Sequence, residues 1–297
     1  MDRVTISAGE SVCTISPAAG GSVASWHVGG QPLLRAAAAS DNPLDMASFP
    51  LVPYSNRIGG ATFDWAGQTI SLARKFEPEP HAIHGVGWAR AWAVDRLTAD
   101  SAVLTLLHAA DDHWPWAFEA RQHIHVASHE LRLTLSVINR AAQAVPLAFG
   151  HHPYFDQAGA SLCFEAEKVW TAGEDHLPIT AQDLSGQDPN ALFDFRTGAC
   201  VEGRSIDHCY SAVSGTAHIK WAGRPLALDI LSPLPAAVVY IPLGGDAFCF
   251  EPVPHINNAL NRAGDTPAMP VIEAGAAFET SILFRAVIKG QRDWERE

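Results

Sequence analysis

Charged side chains are scarce in this sequence: Asp, Glu, Lys and Arg make up 18% of its 297 residues, whereas 47% are hydrophobic. That balance provides apolar material for a large core and excludes a disordered chain. Basic residues are scarcer than acidic ones, 20 against 32, which gives a net charge of -12. Since no Lys/Arg cluster is longer than Arg74-Lys75, the basic surface that a phosphate backbone requires is missing, and we expect no nucleic-acid partner.

Long hydrophobic runs are also missing. No stretch approaches the ~18 uninterrupted apolar residues of a membrane-spanning helix. The first residues of the chain contain no apolar segment of the kind that defines a signal peptide. We therefore expect a cytoplasmic protein with no membrane partner.

Cysteines are few, odd in number and widely spaced. No Cys-x-x-Cys pair is present, so the sequence offers no zinc or redox motif of that kind. We interpret the five cysteines as buried free thiols: Cys13, Cys163, Cys200, Cys209 and Cys249.

What the sequence does contain is a series of short β-rich runs separated by glycine turns. They are residues 11–16, 22–28, 61–65, 68–72, 101–108, 130–139, 236–241 and 276–288. Residues 130–139 are the clearest strand, because apolar side chains occupy every second position. No segment sustains a helical period, and residues 173–203 read as a long ordered loop. We therefore predict a mostly β protein, a large antiparallel β-sandwich in a single domain spanning residues 1–297.

Two turn-like segments carry candidate binding residues. Asn56 and Arg57 stand side by side before a Gly-Gly turn, where an amide and a guanidinium suit a ligand with neighbouring hydroxyls. His84 and Trp88 flank two glycines that allow the backbone to approach a ligand, and the indole of Trp88 can stack on the apolar face of a ring. The alternatives are an ordinary turn, a surface arginine and a structural histidine.

Two further segments carry candidate catalytic residues. His152 follows the apolar run 145–149, and Glu251 follows the apolar run 247–250. A carboxylate among apolar neighbours is costly unless it is hydrogen-bonded or functional. We therefore predict that strand ends hold both side chains rigidly with their polar groups in one cleft. The neighbouring histidines at 151 and 152 are also compatible with a metal site or with simple packing.

In chain order, these motifs resemble the aldose 1-epimerase (galactose mutarotase) family. The resemblance spans about residues 20–285 and is carried by Asn56-Arg57-Ile58, His84-Gly85, His152-Pro153-Tyr154-Phe155, Phe193-Asp194-Phe195-Arg196, Ile206-Asp207-His208 and Glu251-Pro252. It implies a large β-sandwich of the galactose mutarotase-like kind, without cofactor or metal, that interconverts the α and β anomers of a free sugar. We expect a monomer or a homodimer with a small-molecule sugar as its substrate.

The resemblance also implies roles for individual residues. Glu251 is the general base, His152 the general acid, Arg57 and His84 contact the ring oxygen and hydroxyls, and Asp207 anchors a hydroxyl. Opening a hemiacetal requires one proton removed from the anomeric hydroxyl and one delivered to the ring oxygen. Because a histidine with its ordinary pKa of ~6.5 is mostly neutral at pH 7, we expect the two carboxylates to raise the pKa of His152.

Three other functions compete with this one. A metal-dependent cupin is suggested by the spacing of His123, His125 and Glu130. The flanking glycines and the second histidine motif of a cupin are missing, however, and His123 and His125 also fit the polar face of a strand. A non-catalytic carbohydrate-binding protein needs no acid-base pair. A hexose-phosphate 1-epimerase needs extra cations for the phosphate, and the 20 basic residues are thinly spread.

Overall fold

A computed structural model describes residues 3–37, 40–75, 78–186, 188 and 191–289. These residues form 24 strands, which in chain order are β1 Val4–Ala8, β2 Ser11–Ser16, β3 Ser22–Val28, β4 Gln31–Pro32, β5 Ser48–Leu51, β6 Arg57–Ile58, β7 Thr62–Trp65, β8 Gln68–Ser71, β9 Ala82–Ile83, β10 Ala93–Leu97, β11 Ser101–His108, β12 Phe118–Ala127, β13 Glu130–Asn139, β14 Val145–Pro146, β15 Gly150–Asp156, β16 Ala160–Ala172, β17 Pro178–Asp183, β18 Ala199–Cys200, β19 Ile206–Trp221, β20 Leu226–Leu231, β21 Ala236–Ile241, β22 Ala247–Val253, β23 Val271–Ile272 and β24 Ala277–Ile288. Short 3₁₀ helices lie at Pro43–Asp45, Gly59–Ala61, Gly87–Ala89 and Ala259–Asn261.

The predicted strands are confirmed, five of them with the predicted bounds and three within one residue at one end. The loop predicted over residues 173–203 is wrong in part, because β17 and β18 lie within it and pair with β16. Pro178 is buried in β17, but the five residues after it are exposed or half-buried and do not alternate. Such a segment carries no period-2 signal, and only its pairing with β16 reveals it as a strand.

Antiparallel pairing joins 18 of the strands in the described residues into one extended sheet. The long strand β19 is its branch point: its C-terminal half pairs with β20, its N-terminal half pairs with β21, and β16 lies along its other edge. One branch runs in the order β19-β20-β24-β13-β12-β11-β10. The other runs in the order β19-β21-β22-β15-β5-β3-β2-β1.

The two branches pack face to face around the main apolar core, which makes the fold an antiparallel sandwich. Trp26 on β3 meets Phe284 on β24 with ring centroids 6.4 Å apart, and Phe155 on β15 lies 6.5 Å from the same ring. All three side chains are at most 1% exposed. Side chains alternate between the two faces of each strand. In the second branch, the side chains that do not enter the core therefore lie on the opposite face of the sheet, and this face carries the candidate site. Within the described residues, no helix has the length and apolar character of a membrane span.

Candidate active site

The predicted acid-base pair lies on two neighbouring strands. Tyr154 on β15 is paired with Cys249 on β22, and continuing this antiparallel register by two residues brings His152 beside Glu251. His152 Nε2 is 3.2 Å from Glu251 Oε1. The side chains are 6% and 1% exposed, respectively. Two groups that the sequence separates by almost a hundred residues therefore lie in direct contact.

The expectation that strand ends hold this pair is wrong. His152 is the third of seven residues in β15, and Glu251 is the fifth of seven in β22. Both strands continue past the site because their other faces supply core residues on either side, such as Phe155 and Phe250. The residues before and after His152 are paired with β5, and those before and after Glu251 are paired with β21. This pairing makes both positions more rigid than a strand end.

Two loops bring the predicted binding residues to the wall of the cleft. The short strands β6 and β9 pair Arg57 with Ile83, which places Asn56 beside His84. The backbone N–H of His84 donates to the carbonyl of Asn56 at 3.0 Å, and the backbone N–H of Asn56 donates to His84 Nδ1 at 3.2 Å. Since Nδ1 accepts this bond, the hydrogen of the neutral imidazole is on Nε2, which can then donate to a ligand.

A charged cluster forms the other side of the cleft. The guanidinium of Arg57 donates to Asp207 at 3.2 Å and to Glu79 at 3.4 Å. His176 Nδ1 is 3.2 Å from the same oxygen of Asp207. Asp207 therefore has two positively charged or polar neighbours that fix its orientation, and these contacts place Arg57 and Asp207 together as the sequence predicts.

Burial controls the ionisation of the central pair. It raises the pKa of Glu251 well above its ordinary value, and the negative charge of Asp207 adds to this effect. Burial lowers the pKa of His152 to about 3. It also lowers the pKa of His84, to which the charges of His152 and Arg57 contribute. The pKa of His152 thus moves in the opposite direction to the one we expected, because loss of hydration outweighs the attraction of the carboxylates.

The cleft has a volume of about 240 Å³, below the range of roughly 300–1,000 Å³ typical of drug-sized ligands. Its wall contains the predicted residues Asn56, Arg57, His84, His152, Asp207 and Glu251, together with Ile83, His176, Val238 and Tyr240. Sequence reasoning missed the last four. Tyr240 had one available signal, as the polar residue within the apolar strand Ala236–Ile241, where it is 37% exposed.

Trp88 is the predicted binding residue that the structure does not place on the cleft wall. Its indole is 5% exposed and packs behind Phe49, with ring centroids 5.9 Å apart. The ammonium group of Lys75 lies 5.0 Å from the indole ring. Because neighbouring side chains cover it, Trp88 supports the site from behind, and Tyr240 is the exposed aromatic ring at the cleft.

The residues of the cupin alternative have unrelated partners. His125 Nε2 is 3.9 Å from Asp100, and Arg285 Nε donates to Glu130 at 2.8 Å. Among the described residues, the group of His, Cys, Asp or Glu side chains that could hold a metal is instead His152, Cys249 and Glu251, whose ligand atoms lie within 4.8 Å of one another. Their arrangement also serves proton transfer, because Nε2 and Oε1 already contact each other.

Comparisons with known proteins identify similar sequences and similar folds. The sequence model of the family described as aldose 1-epimerase matches residues 2–285. An uncharacterized Escherichia coli K12 protein, YphB, is 29% identical over 256 residues, which cover 80% of this chain and 84% of that protein. The crystal structure of an aldose 1-epimerase candidate from Escherichia coli K12 superposes with a TM-score of 0.89 at 25% identity, covering 97% and 99% of the two chains. A galactose mutarotase-like protein from Clostridium acetobutylicum shares the fold, with a TM-score of 0.83 at 18% identity over 96% and 95% of the chains.

Proposed function

The chain belongs to the aldose 1-epimerase family, and from this premise we propose that it interconverts the α and β anomers of a free aldose by opening and reclosing the sugar ring. The observation that carries the proposal is the contact between His152 Nε2 and Glu251 Oε1 at the bottom of a cleft of monosaccharide size. An acid and a base in contact, both held by paired strands, are what this reaction requires.

The proposed reaction moves two protons. Glu251 takes the proton of the anomeric hydroxyl while His152 delivers a proton to the ring oxygen, and the bond between C1 and the ring oxygen breaks to give the open-chain aldehyde. Rotation about C1–C2 presents the other face of the carbonyl. The hydroxyl at C5 then attacks C1, returns its proton to His152, and the new anomeric oxygen recovers the proton from Glu251.

This cycle needs one proton on the pair in total. Burial favours the neutral form of each group and so shifts that proton towards Glu251. Hydroxyl groups of a bound sugar donate hydrogen bonds to a carboxylate and thereby favour its charged form. Sugar binding can thus move the proton from Glu251 to His152, which prepares the base and the acid together.

The other cleft residues are proposed to hold the substrate. Arg57 and Asn56 offer donors to neighbouring hydroxyls, His84 offers Nε2–H, and Asp207 accepts from a hydroxyl. Arg57 cannot transfer a proton at neutral pH because its guanidinium stays charged. Its role is therefore to bind and orient.

The charges around the cleft favour an uncharged sugar over a sugar phosphate. The cation on the described cleft wall is Arg57, and it already contacts two carboxylates, Glu79 and Asp207. A phosphate would meet those carboxylates as well as the guanidinium. A non-catalytic binding protein is also less well supported, because binding alone does not require a buried acid-base pair.

Polarimetry on freshly dissolved α-anomers tests the proposal. The panel consists of galactose, glucose, xylose, arabinose and a hexose 6-phosphate, each measured against the spontaneous rate in the same buffer and again after dialysis against a chelator. We expect acceleration with at least one unphosphorylated sugar, unchanged by the chelator. A wild-type rate equal to that of Glu251→Gln with every sugar would refute the proposed function, and recovery of a lost activity on adding a divalent ion would refute the metal-free mechanism.

A further inference from the structure

Two aromatic rings pack against the imidazole of His152 from adjacent directions, with 6.2 Å between their own centroids, and its second nitrogen makes no hydrogen bond to a neighbouring side chain among the described residues. The ring of Phe49 lies 4.6 Å away at an interplanar angle of 26°, and that of Tyr154 lies 4.7 Å away at 28°. Nδ1 is buried and makes no hydrogen bond to another of the described residues. A catalytic histidine is commonly oriented by a hydrogen bond at the nitrogen that faces away from the reaction. Here another interaction has to fix the ring.

We propose that Tyr154 and Phe49 are positioning residues that direct His152 Nε2 towards Glu251, and that Arg35 holds Tyr154 in this role. This inference rests on the proposed acid-base function of the pair. It assigns no contact with the sugar to any of the three positioning residues.

The sequence places both aromatic rings by strand geometry. Phe49 is paired directly with His152 in the β5–β15 register, and Tyr154 follows His152 by two residues on the same face of β15. Cross-strand and i, i+2 neighbours on one face of a sheet lie close together, so the backbone itself sets the spacing of the stack. Contacts with rings on two adjacent sides restrict rotation of the imidazole about its Cβ–Cγ bond, a rotation that would turn Nε2 away from Glu251.

Arg35 covers one face of the Tyr154 ring. Its guanidinium carbon lies 3.9 Å from the centroid of the tyrosine ring, a cation-π arrangement. The same guanidinium donates to the carbonyls of Leu44 and Met46, each at 2.9 Å, and the backbone N–H of Arg35 donates to the carbonyl of Tyr154 at 2.8 Å. Arg35 is thus attached to the protein at both ends, and the tyrosine ring contacts both its guanidinium and the imidazole of His152.

Ordinary aromatic packing is the competing explanation, and it makes a different prediction. If the rings only fill space, removing one lowers the stability of the fold, and the molecules that remain folded keep their turnover number. If they position His152, removing one lowers kcat of the folded protein with little change in KM, because the sugar-binding residues are untouched.

Kinetics of four variants distinguish the two explanations. We expect Tyr154→Leu to lower kcat by about 10- to 100-fold, the size of effect that misplacement of a reacting group produces. Tyr154→Phe should restore most of that loss, since the stack uses the ring and not the hydroxyl. Arg35→Met should cause a smaller loss in the same direction. Phe155→Leu is the matched control: it removes an aromatic ring from the same strand but on the core side, and it should lower stability without lowering kcat.

Nitrogen NMR of histidine-labelled protein gives a readout that does not depend on activity. The ring signals of His152 are identified by their disappearance in His152→Asn. We expect them to be sharp in the wild type and Tyr154→Phe, and broadened or shifted in Tyr154→Leu. If the wild type accelerates no sugar, the proposed function fails while this measurement still tests the positioning.

Three results would overturn the inference. They are a kcat of Tyr154→Leu within about twofold of the wild type, equal losses of kcat in Tyr154→Leu and Tyr154→Phe, or unchanged ring signals of His152 in Tyr154→Leu. If Tyr154→Leu does not fold, Phe49→Leu removes the second ring that packs against His152 and is judged by the same kinetic and spectroscopic criteria.

Discussion

Replacing Glu251 with glutamine is expected to change how the stability of the protein depends on pH. Burial raises the pKa of Glu251 and lowers that of His152, so both side chains are neutral in the native state over the pH range between the two shifted values. Over that range the native pair binds one proton, which is on the carboxyl group. The dependence follows from comparing this proton with those bound by the unfolded chain.

In the unfolded chain the two groups have ordinary pKa values of about 4.3 and about 6.5. Between those pH values the unfolded pair also binds one proton, on the histidine, so the pair makes no contribution to the slope. Above pH ~6.5 the unfolded pair binds none, so wherever the raised pKa of Glu251 keeps the native carboxyl group protonated, stability falls as the pH rises. Below pH ~4.3 the unfolded pair binds two protons and the native pair one, so stability falls as the pH decreases.

Glu251→Gln removes the decline on the alkaline side. With glutamine in place, neither the native nor the unfolded state binds a proton at this pair above pH ~6.5. A difference of one bound proton between the two states changes the free energy of unfolding by about 1.4 kcal/mol per pH unit. The variant should therefore gain stability over the wild type at this rate for as long as the native carboxyl group stays protonated. For a domain of this size that rate corresponds to about 2 to 3 °C in Tm per pH unit.

The assay is thermal or urea unfolding of both proteins at closely spaced pH values, analysed as the difference between them so that all other titrating groups cancel. Glu279→Gln is the matched control, because Glu279 is an exposed glutamate on β24, and its curve should run parallel to that of the wild type. Parallel curves for Glu251→Gln above pH ~6.5 would show that the native carboxyl group is ionised and that the reasoning from burial is wrong.

Three further predictions concern activity and packing. Glu251→Gln and His152→Asn should each lower kcat by about 10²- to 10⁴-fold in polarimetry. The double variant should lose far less than the product of the two single losses, because the two groups act together; a loss equal to that product would show that they act independently. Arg57→Ala should raise KM or lower kcat/KM, and an unchanged kcat/KM for every sugar would remove Arg57 from the site. Gly85→Ala should lower the unfolding free energy by more than about 1 kcal/mol, since its φ is +64° and a Cβ would lie 2.3 Å from the carbonyl oxygen of Val52; a wild-type Tm would contradict this.

Much of the fold was predictable because its signal is local. β13 was identified from apolar residues at alternate positions, and this alternation reappears in its burial pattern. β17 was missed because its exposed residues do not alternate. The strands that cross the site, such as β22, are buried on both faces and read as continuous apolar runs, whose faces cannot be assigned from the sequence.

Site residues were predictable where their type is unusual for the surrounding sequence. They were not predictable where only the pairing of strands distant in the sequence brings them to the site. Glu251 was visible as a carboxylate among apolar neighbours. His176 gave no such signal, because only the fold of the β16–β17 hairpin brings it to Asp207. Trp88 was misplaced because the sequence shows an aromatic ring beside glycines but not the packing that buries it.

The position of the pair in the sheet ties the proposed chemistry to the register of the fold. In β22 the side chains alternate, so Phe250 belongs to the core while Glu251 faces the cleft. A slip of one residue would bury the carboxyl group in the core and expose the phenylalanine, which the loss of apolar burial strongly disfavours. The interactions that select the correct register therefore also place Glu251 against His152. The same burial that makes this register stable shields both groups from solvent, and in the proposed reaction it leaves a bound sugar as their partner for proton transfer.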